Sequence, residues 1–203
     1  MIDNSEFKLK DFKLSEQTLM GGWTTNHNVI DDLWNYYKQN KESHKPGVTY
    51  NPKTGGDTGD KLSTELSCYA RSNHYPIKKY LELLTHCFDY YSTKYEAVKK
   101  LISECDIIED FNIQYYKPGE GFKNWHCERG NEKTIYRTFV FMTYLNDVED
   151  GGTAFLYQNL ELPAKKGLTL IWPSDWTHTH RGIISHTSDK MIVTGWISIK
   201  GNK

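Results

Sequence analysis

The sequence predicts an α+β protein in which helices support an antiparallel β-sheet, and two observations carry this prediction. Segments with helical periodicity come first, whereas runs rich in Val, Ile, Thr, Tyr and Phe follow from about residue 107 onward. Helices first and strands afterwards is an order typical of the α+β class. The length of 203 residues fits one domain with a sizeable hydrophobic core.

The N-terminal half is predicted to be mainly helical. Polar and apolar residues alternate over 7–14, which favours a strand or an extended arm. Residues 28–40 carry apolar side chains at helical spacing, with Asn28 as the expected N-cap. The Gly- and Asp-rich stretch 46–60 is predicted to be a surface loop, either a mobile connector or a lid that grips substrate. A longer helix with one apolar face is expected over 76–100.

Strand-like runs separated by Gly, Pro, Asn and Asp fill the C-terminal half. They cover residues 111–116, 134–145, 167–172 and 191–199. We therefore expect a single domain over 1–203, in which 1–106 is mainly helical support with the loop 46–60 and 107–200 is the sheet-rich core.

Composition excludes several classes of protein. The formal charge is −1, so a basic surface for nucleic acid is not expected. The sequence has no run of about 20 apolar residues that would cross a membrane, and its first residues lack the features of a signal peptide. The four cysteines form no Cys-x-x-Cys pair. They are therefore interpreted as reduced thiols of a cytoplasmic protein.

A His-x-Glu triplet, His126-Cys127-Glu128, is the first candidate for chemistry. On a strand, residues two apart face the same side, so His126 and Glu128 could bind one ion while Cys127 packs on the opposite face. A third ligand must come from His178, His180 or His186, and strand alternation does not separate His178 from His180. Two histidines and one carboxylate form the facial triad of non-haem Fe(II) oxygenases.

Lys190 follows His180 by ten residues, enough for the chain to turn and return along a neighbouring strand. Its ammonium group would then face the same cavity as the ligands, and a buried lysine requires an anionic partner. The motifs of zinc proteases, zinc deaminases, serine hydrolases and P-loop proteins are absent from the sequence.

Five pieces in order resemble the Fe(II)/2-oxoglutarate-dependent dioxygenases of the prolyl 4-hydroxylase-like group, over roughly residues 111–197. The pieces are the segment 116–122 with the His126-x-Glu128 triplet, the segment 144–149 with the Gly-Gly-Thr run 151–155, the strand 167–172, the pair His180 and Lys190, and Trp196. The sequence departs from the family at three places. Glu128 stands where most members have Asp, one extra residue precedes His126 and makes Tyr115 a rival of Tyr116, and the residue usual before Thr153 is missing.

The resemblance implies a double-stranded β-helix, or jelly roll, with Fe(II) bound by His126, Glu128 and His180. It implies that Lys190 pairs with the distal carboxylate of the co-substrate 2-oxoglutarate, and that Tyr116 and Thr153 hydrogen-bond to it. O₂ is the oxidant, and ascorbate is an optional further cofactor. An aromatic wall could keep the site dry, although core packing is the first interpretation of each of its residues: Phe139, Phe141, Trp172, Trp176 and Trp196.

The implied activity is hydroxylation of a C–H bond, most simply on a prolyl residue of a peptide or protein or on a free amino acid. Fold alone does not define the substrate. Two alternatives stay open: a jelly-roll module that binds a metal or small molecule without catalysis, and an oxygen-sensing protein whose partner docks on the loop 46–60. The sequence leaves the oligomeric state undetermined.

Overall fold

The computed structural model describes residues 6–49, 58–102 and 104–200. Within these ranges the helices are α1 (Val29–Gln39), α2 (Ile77–Lys94) and α3 (Glu96–Leu101). The strands are β1 (Lys10–Asp11), β2 (Gly21–Thr24), β3 (Lys45–Pro46), β4 (Thr64–Cys68), β5 (Cys105–Asp106), β6 (Phe111–Tyr116), β7 (Arg137–Tyr144), β8 (Val148–Phe155), β9 (Leu160–Ala164), β10 (Leu168–Pro173), β11 (His180–Ile183) and β12 (Lys190–Ile199).

The strands form two antiparallel sheets. The large sheet has nine strands in the order β1-β2-β10-β7-β12-β6-β4-β3, with β5 also paired to β12, and the small sheet has the order β11-β8-β9. The prediction of a largely antiparallel sheet is confirmed. The half expected to be mainly helical nevertheless supplies β1 to β4. These strands are only two to five residues long, so they depend on the sheet they join and leave a weak periodic signal.

The large sheet separates two hydrophobic cores because its side chains alternate between faces. On β7, Phe139 and Phe141 pack with the helices, whereas Val140, Met142 and Tyr144 pack toward the small sheet. The result is three layers, with helices on one face of the large sheet and the small sheet on the other. Among the described residues, no helix has the length and apolar character needed to span a bilayer.

The helix α2 carries the predicted apolar face. Tyr80, Leu84 and Tyr91 are buried against the large sheet, and the hydroxyl of Tyr80 donates a hydrogen bond to Thr143 at 2.8 Å. The helical segment is interrupted at Tyr95, so residues 76–100 form two helices instead of one. Asn28 occupies the N-cap of α1 without a side-chain hydrogen bond. The ring of His27 accepts instead from the backbone N–H of Val29 at 3.1 Å.

In the C-terminal half, β8, β9 and β11 were not among the strand-like runs expected from the sequence. The run that opens β8 is Val-Glu-Asp-Gly-Gly, and acidic residues and glycine are depleted in strands. The pairing of β8 with β9 shifts register between Val148 and Thr153. Gly152 lies in this irregular segment with a φ of +127°.

Gly152→Ala should therefore destabilise the protein by about 3 kcal/mol or more. A Cβ at Gly152 would lie 2.2 Å from the carbonyl oxygen of Leu162, and the positive φ disfavours any L side chain. The free energy of unfolding can be measured by urea denaturation. Gly130→Ala is the matched control, since a Cβ there meets nothing within 4 Å. Equal stability of the two variants would contradict the assigned backbone conformation.

Candidate metal and co-substrate site

Three side chains that the sequence selected as metal ligands come together between the two sheets. One ligand atom from each of His126, Glu128 and His180 lies within 4.8 Å of the others. Glu128 Oε1 is 3.5 Å from Nε2 of His126 and 3.8 Å from Nε2 of His180. The cluster presents two imidazole nitrogens and one carboxylate oxygen to a common point.

The local structure that brings them together differs from the expected strand. His126 lies in the loop between β6 and β7 and forms a single antiparallel bridge with His180, through N–H···O bonds of 3.0 and 2.9 Å. Glu128 is fixed separately, because its N–H donates to the carbonyl of Ser174 at 3.0 Å. The prediction that Cys127 packs on the opposite face is wrong: Cys127 also lines the cavity, since a loop does not alternate as a strand does.

Hydrogen bonds to the backbone orient both imidazoles. Nδ1 of His126 lies 2.9 Å from the carbonyl of Asn124, and Nδ1 of His180 lies 2.9 Å from the carbonyl of His178. A carbonyl only accepts, so each Nδ1 is the N–H donor and each Nε2 faces Glu128. This second hydrogen bond is the one that metal-bound histidines make almost always. The donor set and its orientation fit a divalent transition metal ion.

His178 and His186 are not part of the cluster. The imidazole of His178 is 2% exposed, and its Nε2 is 2.8 Å from the carbonyl oxygen of Thr18. His178 ends a short 3₁₀ turn, Trp176–His178, whereas His180 begins β11. His186 is exposed, and its backbone N–H donates to Asp150. The structure therefore places His180, and not His178, in the cluster, a choice that strand alternation alone did not make.

The electrostatics of the cluster favour a bound cation. Burial opposes ionisation of Glu128, but hydrogen bonding to His126 and the positive groups of His126, His180 and Arg137 outweigh it and lower the pKa of Glu128 to about 2. Burial, together with the neighbouring His126, lowers the pKa of His180 to about 4. At neutral pH Glu128 is an anion and His180 is neutral, which are the protonation states that metal binding requires.

A cavity of about 800 Å³ extends from the cluster to Lys190. Lys190 is only 4% exposed, and its Nζ donates to the carbonyl of Ile183 at 2.6 Å. Burial lowers the pKa of Lys190 to about 8, although the charge of Asp150 opposes the shift. The expectation that His180 and Lys190 lie on neighbouring strands is wrong. They belong to β11 and β12, which are in different sheets, so Lys190 faces His180 across the cavity.

Polar side chains surround the cavity near Lys190. Tyr116 points into it, and its hydroxyl donates to Gln114 at 2.6 Å. Thr153 lies there too, with its hydroxyl 2.6 Å from that of Tyr144. Tyr115 points to the opposite face of β6 and packs with the helices. The structure thus places Tyr116, not its rival, beside Lys190.

Sequence analysis missed Gln114 and Tyr144 as cavity residues. A signal for Gln114 was present, because it lies two residues before Tyr116 on the same strand and therefore on the same face. Tyr144 occupies the cavity face of β7, and its partner Thr153 lies on β8 of the small sheet, a strand that the sequence did not predict. The hydroxyl of Tyr144 is buried and paired with Thr153, so the two residues form one polar unit.

The expected aromatic wall is only partly present. Trp172 and Trp196 line the cavity, whereas Phe139 and Phe141 face the helices and Trp176 is 66% exposed. The indole N–H of Trp172 is buried and has no hydrogen-bond acceptor among the described residues. A ligand in the cavity could supply an acceptor to this group.

Both ends of the loop expected over 46–60 reach the cavity. Val48, Thr49, Thr58 and Asp60 contribute to its lining. Residues 50–57 of this loop lie outside the described residues. The hypothesis of a substrate lid therefore stays a prediction.

Comparison with known proteins agrees with the fold and the site. Residues 111–198 match the sequence model of the 2OG-Fe(II) oxygenase superfamily. The human prolyl 4-hydroxylase subunit alpha-3 is 34% identical over 79 residues, which are 35% of this chain and 14% of that protein. The chain therefore spans only a small part of the length of this relative.

Solved prolyl hydroxylases share the fold. A prolyl-4-hydroxylase of Pseudomonas putida superposes with a TM-score of 0.64 at 11% identity, covering 92% of this chain and 95% of that one. The viral collagen prolyl hydroxylase of Paramecium Bursaria Chlorella virus-1, in its 2OG complex, gives 0.60 at 17% identity over 98% of both chains. A Trichoplax adhaerens prolyl hydroxylase bound to a hypoxia inducible factor peptide fragment gives 0.60 at 13%, over 97% of this chain and 85% of that one.

The family match and the geometry of the His-Glu-His cluster together indicate the class of protein. The match to the 2OG-Fe(II) oxygenase superfamily covers residues 111–198. The resemblance to its prolyl 4-hydroxylase-like members is confirmed by the human relative and by the shared fold. This family implies Fe(II), 2-oxoglutarate and O₂, and the His-Glu-His cluster is the place where the chain can hold the metal.

Proposed function

We propose that the protein is an Fe(II)- and 2-oxoglutarate-dependent dioxygenase that hydroxylates a C–H bond, most simply of a prolyl residue in a peptide or protein. One observation carries this proposal: the His126, Glu128 and His180 cluster and the buried Lys190 ammonium lie in one cavity. A metal ligand set and a cation at the two ends of one space suit a short diacid. The proposal includes a jelly-roll core over 107–200 within one domain, 1–203.

In this proposal His126, Glu128 and His180 hold Fe(II). The bound iron supplies the activation of O₂ and of the 2-oxo acid. The chain orients its ligands through the backbone hydrogen bonds of the two imidazoles. Phe122 stacks on His126 with ring centroids 3.6 Å apart, and Trp172 meets His180 edge-on at 5.1 Å. These rings restrict the imidazoles and limit access of water to the ligands.

Lys190 would pair with the distal carboxylate of 2-oxoglutarate. Among the described residues the ammonium has one hydrogen bond, to Ile183, and an ammonium offers three donors, so two would remain for a carboxylate. Tyr116 and Thr153 contribute hydroxyl groups beside it. The hydroxyl of Tyr116 donates to Gln114 in the structure, so it would turn from Gln114 to the diacid when 2-oxoglutarate binds.

The test is formation of succinate from 2-oxoglutarate by purified protein supplied with Fe(II), O₂ and ascorbate. Proline-containing peptides and free amino acids should be assayed in parallel, with product mass recorded. A gain of 16 mass units on a peptide, coupled to succinate, is the expected result. Glu128→Ala is the control for metal bound elsewhere. Stoichiometric Fe(II) binding without succinate under any condition would favour the non-catalytic module instead.

Tyr116→Phe should weaken 2-oxoglutarate binding by about 10- to 150-fold, because one hydrogen bond to a charged group is lost. Tyr115→Phe is the matched control, since its ring faces the helices. Affinity can be measured by calorimetry on protein loaded with Mn(II) in the absence of O₂. A larger loss in the Tyr115 variant would contradict the placement of Tyr116 in the co-substrate pocket.

We also propose that the protein functions in a reducing compartment such as the cytoplasm. Cys68 and Cys87 are buried free thiols, and burial raises the pKa of both far above the usual range. Such thiols are packing groups in a reduced protein.

A further inference from the structure

The two carboxylate oxygens of Glu128 have different surroundings. Oε1 faces the imidazoles of His126 and His180. Oε2 accepts a hydrogen bond of 2.9 Å from the indole Nε1 of Trp196. The two oxygens therefore have different partners: Oε1 faces the candidate metal ligands, and Oε2 accepts a hydrogen bond from a neutral donor on β12.

Trp196 is itself held in place from its other side. The guanidinium carbon of Arg137 lies 3.3 Å from the centre of the Trp196 ring, close enough for a cation–π contact. Arg137 in turn donates from Nε and Nη2 to both oxygens of Glu109, at 3.1, 3.1 and 2.7 Å. The bidentate pair fixes the plane of the guanidinium. The indole is thus positioned by Arg137 and Glu109, and Arg137 also donates from Nη1 to the backbone carbonyl of Glu128 at 3.5 Å.

This arrangement matters because the acidic residue of the triplet is a glutamate. Glutamate has one more rotatable bond than aspartate, so its carboxylate has more ways to turn. It could offer both oxygens to an ion, or swing toward Arg137, whose Nη1 is 3.8 Å from Oε2. Either change would remove a defined single-oxygen ligand, and a second bound oxygen would occupy a position that the facial triad leaves open.

We propose that Trp196 is a positioning residue whose indole N–H, held by Arg137 and Glu109, fixes Oε2 so that Glu128 offers only Oε1 to the metal. The inference rests on the proposed function, because it assumes that the cluster binds a divalent ion. The proposed effect of Trp196 on metal coordination does not require 2-oxoglutarate or substrate to be bound.

The first test is Trp196→Phe, which removes the N–H and keeps an aromatic ring under Arg137. Co(II) replaces iron as the probe, titrated without O₂, 2-oxoglutarate or substrate. We expect Co(II) affinity to fall about 10- to 100-fold, the range typical of lost outer-sphere partners. The visible absorption of bound Co(II) should weaken as well, since a carboxylate free to bind through both oxygens raises the coordination number. If Trp196 only lined the substrate pocket, its replacement would change neither the Co(II) affinity nor the visible absorption of bound Co(II).

A second variant covers the case in which phenylalanine disturbs the fold. Benzothienylalanine at position 196 keeps the bicyclic shape and replaces the N–H with sulfur, so only the donor is lost. Trp176→Phe is the control, because Trp176 is 66% exposed and does not line the cavity. Both position-196 variants should lose affinity and change the Co(II) spectrum, and the control should change neither.

The outcomes separate the inference from the proposed function. If wild-type protein binds one Co(II) and both position-196 variants bind it with unchanged affinity and spectrum, the role of Trp196 is refuted while the metal site stands. If wild-type protein binds no Co(II) or Fe(II) at this cluster, the proposed function itself fails and the inference falls with it.

Discussion

His180→Ala should abolish metal-dependent turnover and weaken metal binding by at least about 100-fold, more than is usual for loss of an outer-sphere partner. The fold should persist, because the bridge between residues 126 and 180 uses backbone atoms that alanine retains. Metal titration and thermal unfolding of the same sample check both expectations.

His178→Ala should have the opposite profile. Its imidazole contacts the carbonyl oxygen of Thr18 and is buried away from the cluster. Removal should reduce the free energy of unfolding by about 1–3 kcal/mol, since a buried hydrogen-bonding partner is lost. Metal affinity should remain within a few-fold of the wild type. A His178 variant that loses metal while the His180 variant keeps it would show that the ligand was wrongly chosen.

Lys190→Met should weaken 2-oxoglutarate binding by about 2–5 kcal/mol, the cost of removing one partner from a buried charged pair. This corresponds to roughly a 30-fold to several-thousand-fold rise in Kd. Metal affinity should change little, because Lys190 is not one of the three residues whose ligand atoms converge. Calorimetry on Mn(II)-loaded protein without O₂ provides the measurement.

The same variant should be more stable than the wild type in the absence of the diacid. Burial lowers the pKa of Lys190 to about 8 from its ordinary value of 10.5, so the unfolded chain binds more protons than the folded chain between these pH values. Stability of the wild type therefore rises with pH from about 8 to 10.5, and the cost of the buried charge is fully present below pH 8. The variant should gain up to about 3 kcal/mol at neutral pH.

Urea denaturation of both proteins at several pH values checks this prediction. The difference in unfolding free energy should shrink as the pH rises above 8 and approach a constant near pH 10.5. Addition of 2-oxoglutarate should stabilise the wild type far more than the variant, because only the wild type retains the ammonium group. A difference independent of pH would contradict the assigned burial of the charge.

Sequence periodicity recovered the elements that have a strong local signal. The strand 111–116 was predicted with its observed bounds, and the strands expected at 134–145, 167–172 and 191–199 were found within a few residues of their predicted ends. The signal was clear there because both faces of the large sheet are buried, so these strands are nearly continuous runs of β-branched and aromatic residues. The strands β8 and β11 escaped detection, since glycine, acidic and basic residues fill them and their pairing depends on tertiary contacts.

The candidate site was recovered from residue identity and order more than from local structure. His126, Glu128, His180 and Lys190 were selected correctly as neighbours of one cavity, although the first two lie in a loop and the last two in different sheets. The order and spacing of these residues therefore indicated the chemistry of the site, although the secondary structure expected around them was wrong. The contact between Trp196 and Glu128 was inaccessible to sequence reasoning, because it joins residues 68 apart through the side-chain rotamers of both.

The reciprocal backbone hydrogen bonds between His126 and His180 affect how the candidate metal site is assembled. They join the segments that carry the two histidines through main-chain atoms, so this contact does not itself require a metal ion. If the cluster holds iron as proposed, iron that is lost or oxidised would be replaced at a site whose two imidazoles are already adjacent, in contrast to small zinc domains that fold only when the metal binds.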